Sequence, residues 1–521
     1  MNRRHFLQHA AAASLLPVFL DGFGAKAFGR PNSALMQSLM GLATATDRVL
    51  VLIQLAGGND GLNTVIPLDQ IGQYTSLRSN IALPEAKVLK LTNNLTTGLH
   101  PAMTGLQRLY NDGMLSIVHS VAYPQPSFSH FRASDIWFTG ADANQTLLTG
   151  WTGRYLNEEW PGYPTGYPTK DAPDPLAIQI GYITSTAFAG PGGPMAVAIP
   201  NPDTFAQLVG DKPVIDADGV PNTVAGRRIA FIRQQQLSSV QYAAQIKAAA
   251  GKGKNLATYP TGNGLADQLK IVARLVHGGL QTRVYYVTIN GFDTHANQVV
   301  ATDPTTGAHA NLMRQLSDAI KAFQDDLKLQ GTDDRVAGMT FSEFGRRAVS
   351  NAAYGTDHGY AAPLFVFGKG VQTPVIGKNP NLSDLDNNNV KMQIDFRQVY
   401  ATLMTDWLKA DKAEMATVLQ RPFDNVPIFQ RVITATEPVA AAFRIYPNPA
   451  SAQVTLEADQ FAGGVGGVQL TDALGRGLNV PVSRMSDRRL GLDVQELAAG
   501  PYIVSVETAG QRLSARLLVA R

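Results

Sequence analysis

Five stretches of the chain are apolar at nearly every position over the length of a strand: 48–55, 115–121, 176–180, 283–289 and 336–341. Runs that are apolar on both faces suit a buried, mostly parallel sheet rather than a half-solvated one. Helical spacing appears between them. Leu265, Leu269, Val272 and Val276 fall on one face, as do Leu312, Leu316, Ile320, Phe323 and Leu327, so each stretch can bury one stripe. Strand–helix alternation predicts an α/β architecture, a central mostly parallel sheet flanked by helices. Proline- and glycine-rich loops interrupt it at 161–175 and 190–194, and no internal repeat, heptad or low-complexity tract is visible. From 443 onward the pattern changes. Short alternating runs at 454–456, 468–472, 492–494 and 502–506, punctuated by Gly, Pro and Asn, predict a small all-β sandwich. The stretch 434–442, rich in Ala, Thr and Val, reads as a linker.

Composition narrows the chemistry. Of 521 residues 45% are hydrophobic and 16% charged, which argues against a disordered chain. There are no cysteines, so disulfides, thiolate metal sites, a cysteine nucleophile and Fe–S clusters are excluded. The net charge of +3 gives no footprint for nucleic acid. Its distribution is more informative. Residues 1–27 hold three basic and one acidic residue, 443–521 eight and seven, and 28–442 thirty-three of each. The excess therefore sits at the two ends. The N-terminus pairs Arg3 and Arg4 before Phe6-Leu7, continues in a weakly apolar run from Ala10 to Leu20 and reaches Ala25-Lys26-Ala27. That run is about half the ~20 residues of a membrane-spanning helix. The three parts resemble a twin-arginine export signal, which implies a mature start near Phe28, export in the folded state through the twin-arginine translocase, and no transmembrane helix.

In open α/β sheets, chemistry collects beyond the carboxyl ends of the strands. The segments just past four strands deliver Asp60; Ser129 and His130 with Arg132; Asp293 and His295; and Glu343 with Asp357 and His358. Each has an ordinary alternative. Asp60 suits a turn, Asp293/His295 a surface loop, Ser129 a helix N-cap with Arg132 on a solvated face, and Glu343 an ion pair with Arg346. Together, carboxylates and imidazoles on one rim are ligands for a divalent ion. A helix-start serine with a nearby arginine supplies a nucleophile and an anion clamp. Gly58-Asn59-Asp60 also occurs in one lipase-type signature, but no Gly-Asp-Ser precedes it here.

The runs 55–67 (Leu-Ala-Gly-Gly-Asn-Asp-Gly-Leu-Asn-Thr-Val-Ile-Pro), His100-Pro-Ala-Met, Ser129-His-Phe-Arg-Ala-Ser-Asp135, Gly150-Trp-Thr-Gly-Arg154, Gly291-Phe-Asp-Thr-His295, Ser342-Glu-Phe-Gly-Arg346 and Gly355-Thr-Asp-His-Gly359 resemble, in this order over 45–410, the exported family called domain of unknown function 1501. That family is grouped with the alkaline phosphatase and sulfatase superfamily. The resemblance implies a metal held by Asp60 and by Asp357/His358, with Ser129 as nucleophile and Ser127 second. A second metal's Asp-x-x-x-His would fall on Asp293/His295, whose spacing is two rather than four. No histidine follows His358, so Glu343 or His130 would replace the last ligand. The sulfatase formylglycine motif is absent. Residues 443–450 (Phe-Arg-Ile-Tyr-Pro-Asn-Pro-Ala), 472–476 (Asp-Ala-Leu-Gly-Arg) and 497–504 (Leu-Ala-Ala-Gly-Pro-Tyr-Ile-Val) resemble the C-terminal sorting domain of type IX secretion. That implies the type IX machinery as partner and a secreted or outer-membrane surface location after passage through the periplasm.

The expected organisation is a signal at 1–27, an alkaline phosphatase-like α/β domain at 28–433, a linker at 434–442 and a sorting sandwich at 443–521. The expected function is hydrolysis of phosphate or related esters, small or polymeric, with a divalent ion (zinc, calcium, magnesium or manganese). In this scheme Ser129 attacks, His130 or His295 handles protons, and Arg132 holds the anion. The alternative on the same fold is a non-catalytic secreted or surface binding protein; a glycan or sulfated-polymer binder gains no support from a body of zero net charge.

Overall fold

The computed structural model describes residues 47–429 and 443–520 except 165, 210–219, 222, 373, 473–475 and 509–510, and before these only two short paired strands, Phe19–Leu20 and Phe23–Gly24. Most of the expected signal and the expected linker thus lie outside the described residues. The chain divides into two compact units, 1–430 and 431–521.

The apolar runs of the first unit became its sheet. The strands of interest are β1 (Val49–Ala56), β2 (Leu115–Ala122), β3 (Ala177–Ile180), β4 (Ala196–Ile199), β5 (Val284–Asn290) and β6 (Val336–Phe341). A two-stranded hairpin follows, β7 (Arg346–Ser350) with β8 (Thr356–His358). Then come β9 (Ala362–Gly368), β10 (Val375–Ile376) and β11 (Ile394–Asp395). The main sheet has the order β4-β3-β5-β1-β6-β9-β2-β10, and β11 also pairs with β2. All its pairings are parallel except those of β9, which runs against both neighbours. In β1, Val49 to Ile53 and Leu55 are each at most 2% exposed. Full burial of such a side chain contributes ~1.5–3 kcal/mol, which is why this strand sits centrally.

The helical stripes pack as their spacing predicts. Helices α1 (His130–Thr139), α2 (Gly264–His277) and α3 (Ala308–Gln330) matter most here. Leu265, Leu269, Val272 and Val276 on α2, and Leu312, Leu316, Ile320, Phe323 and Leu327 on α3, are all buried. Asn263 caps α2 by accepting from the Leu265 and Ala266 amides, satisfying two of its free donors. Among the described residues, no helix is long and apolar enough to cross a membrane.

The second unit is an antiparallel sandwich of two four-stranded sheets. Val454, Leu456, Leu490 and Leu492 from one sheet and Leu470, Val504, Val506, Leu517 and Val519 from the other share one apolar core. The Asp472 carboxylate accepts from the Arg476 amide and guanidinium at 3.0 and 2.8 Å.

Candidate metal centre

Strands β5, β1 and β6 are neighbours in the sheet, so their carboxyl-end loops are brought side by side. The loop after β1 depends on glycine. Gly57 has φ +126°, and a Cβ there would lie 2.3 Å from the Asp293 amide nitrogen; Gly58 has φ +83°, and its Cβ would strike the Phe344 ring at 2.4 Å. Only residues without a side chain let this backbone turn and lie against the other two loops.

Three imidazoles and one carboxylate converge there. The ligand atoms of His130, Asp293 and His358 all lie within 4.8 Å of one another. His358 Nε2 is 3.3 Å from Asp293 Oδ1, and His130 Nε2 is 3.6 Å from Asp293 Oδ2. His295 joins through Nε2, 3.0 Å from Asp293 Oδ1 and 2.8 Å from His358 Nε2. Each ring has an oxygen on its other nitrogen. His130 Nδ1 faces Glu343 Oε1 at 2.8 Å, His358 Nδ1 faces the Phe128 carbonyl at 2.8 Å, and His295 Nδ1 lies 3.5 Å from Asp357 Oδ1. Both nitrogens of His130 and of His358 thus face an acceptor, and the nearer one, at 2.8 Å, is on Nδ1 in each ring; that distance favours the Nδ1–H tautomer of the neutral rings, which turns Nε2 to Asp293 as a lone pair. A carboxylate with imidazole nitrogens is a donor set for a divalent ion. The rings are further fixed by packing: His130 lies 4.8 Å from Phe344 and 4.6 Å from His358, centroid to centroid.

Arg346 ties the loops together. Its guanidinium is buried and donates to the carbonyls of Gly58 (2.7 Å), Thr356 (2.9 Å), Phe292 (3.2 Å) and Gly57, and to Asp293 Oδ1 (2.6 Å). Desolvation pushes the Asp293 carboxyl up, but Arg346 and His358 outweigh it and hold it below the usual range. His358 is lowered, by burial first and then by the Arg346 charge, against the Phe128 carbonyl and the Asp293 carboxylate, which favour its protonated form. The hydrogen bond from Asn351 is the main cause that holds Asp357 low.

The expected residues thus separate. His130, Asp293, His295, Glu343, Asp357 and His358 come together. Asp357 and His358 are consecutive on β8, so they project to opposite sides; His358 turns to Asp293 while Asp357 sits behind His295. Ser129 is the exposed N-cap of α1, and its hydroxyl makes no cap bond. Two residues are engaged elsewhere. Asp60 is 1% exposed, and its two oxygens receive Arg78 Nη1 at 2.9 and 2.8 Å and Gln298 Nε2 at 2.5 Å. The guanidinium is its resident cation. Burial raises this carboxyl, yet Arg78, His309 and Gln298 bring it below its ordinary value. Arg132 pairs with Asp135 and donates to the carbonyls of Asp142, Ala143 and Gln145, so it fastens the loop after α1 rather than reaching the rim. Glu343 is not paired with Arg346 but with His130. The sequence contained Arg346 inside the Ser-Glu-Phe-Gly-Arg motif; for Arg78 and Gln298 it offered no signal, since their roles exist only once Asp60 is buried.

Comparison with known proteins bears out the two resemblances. Residues 234–436 match the family "Protein of unknown function (DUF1501)", and residues 444–520 match "Secretion system C-terminal sorting domain". No curated protein matches the chain. Among solved structures, a protein in the alkaline phosphatase superfamily from Vibrio parahaemolyticus is 10% identical, covering 78% of this chain and 74% of its own, with a TM-score of 0.32. The lipoteichoic acid synthase LtaP from Listeria monocytogenes is 10% identical over 84% of this chain and 87% of its own, TM-score 0.31. The PsFucS1 sulfatase from Pseudoalteromonas sp. is 12% identical over 75% and 72%, TM-score 0.30.

Proposed function

We propose, for a chain whose residues 234–436 fall in the DUF1501 family and whose residues 444–520 form a secretion-system sorting domain, a metal-dependent hydrolase of phosphate or related esters that works outside the cell. The observation that carries this reading is the convergence of His130 Nε2 and His358 Nε2 on the Asp293 carboxylate. These three residues would hold a divalent ion, and their donor set fits one. When bound, such an ion supplies Lewis acidity to an ester oxygen and lowers the pKa of an attacking hydroxyl.

The chain's own groups do the rest. Ser129, exposed and not spent on capping, supplies the nucleophilic oxygen from the residue preceding His130. His295, nearly half exposed and 3.0 Å from Asp293, takes up and returns the proton. Arg346 keeps Asp293 ionised and aimed. Arg132 has no part, because its donors are already used. The N-terminal twin-arginine pattern and the sorting domain would carry the folded protein through the periplasm to the surface.

The test is turnover of phosphate monoesters, diesters and sulfate esters by the purified full chain with added divalent metal. Ser129→Ala and His295→Ala should each lower kcat by ~10²-fold or more. A wild type that turns over none of these substrates with any of zinc, calcium, magnesium or manganese would leave the non-catalytic binding reading. Separately, deletion of 443–521 should trap the protein in the periplasm, and unchanged secretion would refute the sorting assignment.

A further inference from the structure

Glu343 entered the sequence reading as a metal ligand. Its surroundings assign it another task. The side chain is only 4% exposed, and a single oxygen, Oε1, receives two donors: the Gly57 amide at 2.9 Å and His130 Nδ1 at 2.8 Å. Among the described residues the second oxygen has only a 3.4 Å contact with Ser342 Oγ, whose proton is directed to the Leu55 carbonyl at 2.6 Å. Ser342 in turn accepts from the Asn59 amide at 3.0 Å. The carboxylate is thus locked between the ends of β1 and β6. Its Oε1 lies on the far side of the His130 ring from Asp293.

We infer that Glu343 is a positioning residue. It fixes His130 as the Nδ1–H tautomer, so that Nε2 is always the free lone pair turned to Asp293. This rests on the metal-centre reading above. A ligand histidine whose other nitrogen is held by a carboxylate is oriented before the ion arrives, and loss of such a support typically weakens metal binding 10- to 100-fold. Ligation through Oε1, whose two lone pairs these donors already use, would displace one of them.

The experiment uses the full chain with ring-¹⁵N histidine. There are nine histidines, and His130→Gln assigns the resonance. In metal-free protein at pH 8 the inference requires the Nδ1–H tautomer of His130 in wild type and in Glu343→Gln, whose amide oxygen can still accept. It requires loss of that tautomer in Glu343→Ala. Zinc titration of the same proteins should give Glu343→Gln close to wild type and Glu343→Ala 10- to 100-fold weaker, with near-unchanged circular dichroism for Glu343→Gln. Equal loss of zinc in both variants would mean that Glu343 is a ligand and overturns the inference. So would an Nε2–H tautomer in the wild type. If wild type bound no zinc, the metal-centre reading would fail, while the tautomer measurement would still decide the role of Glu343.

Discussion

Replacing Asp60 by Asn tests whether this carboxylate serves the fold or the ion. Arg78 is fully buried and Asp60 is 1% exposed. In the variant Arg78 keeps Asn63 Oδ1 at 2.9 Å and the carbonyls of Ala348 and Arg347 at 3.1 and 3.0 Å, but no anion. Removing one partner of a buried ion pair costs about 3–5 kcal/mol, because the remaining charge stays desolvated. Replacing both, as Asp60→Leu with Arg78→Met, should cost less than the sum of the single changes. All four tryptophans, 137, 151, 160 and 407, lie in the first unit, so their fluorescence in urea follows that unit alone. The pH sign follows from the lowered Asp60 carboxyl: its contribution is complete above the unfolded value of ~3.9 and is lost as pH falls through the folded value. The expected result is a urea midpoint lowered by the equivalent of about 3–5 kcal/mol at pH 7, with zinc affinity of the folded variant retained. A variant with the wild-type midpoint that no longer binds zinc would refute the reasoning and make Asp60 a ligand.

Two further predictions rest on the same geometry. His309 is wholly buried and desolvation lowers it to about 4, so the folded state resists its protonation; its stabilisation is complete above ~6.5 and falls by about 3 kcal/mol in total as pH drops toward 4, a loss that the urea midpoint of His309→Gln should not show to the same extent. Arg346→Lys should destabilise the first unit by about 3 kcal/mol or more, since an ammonium cannot reach the five acceptors that the guanidinium fork serves; a midpoint within experimental error of wild type would contradict this.

The elements were more legible than the division of labour among the polar residues. All five apolar runs became strands of the main sheet, because a strand buried on both faces leaves an uninterrupted signature. β9 was missed: it starts at Ala362-Pro363 behind the hairpin, and nothing local encodes that it runs against its neighbours. The rule that polar groups gather beyond the strand ends picked out His130, Asp293, His295, Glu343, Asp357 and His358, which the fold brings to one rim. It could not rank them. Asp60 and Asp293 both follow strand ends that contain glycine, and each receives a guanidinium, Arg78 on Asp60 and Arg346 on Asp293; what separates them is that Asp60 is enclosed while Asp293 stays half exposed. Likewise Asp357 and His358 are adjacent in sequence, but consecutive strand residues face opposite ways, so Asp357 lies against His295 and His358 against Asp293.

The central claim is that Asp293, His130 and His358 hold a divalent ion, and it is tested most directly by counting metal. Full-length protein stripped with chelator, reloaded with zinc and desalted should retain about one ion per chain by elemental analysis; His358→Ala and Asp293→Ala should retain almost none while still folded, and Asp60→Asn should retain as much as wild type. Wild type that keeps no zinc, calcium, magnesium or manganese, or His358→Ala and Asp293→Ala proteins that keep as much as wild type, would contradict the account.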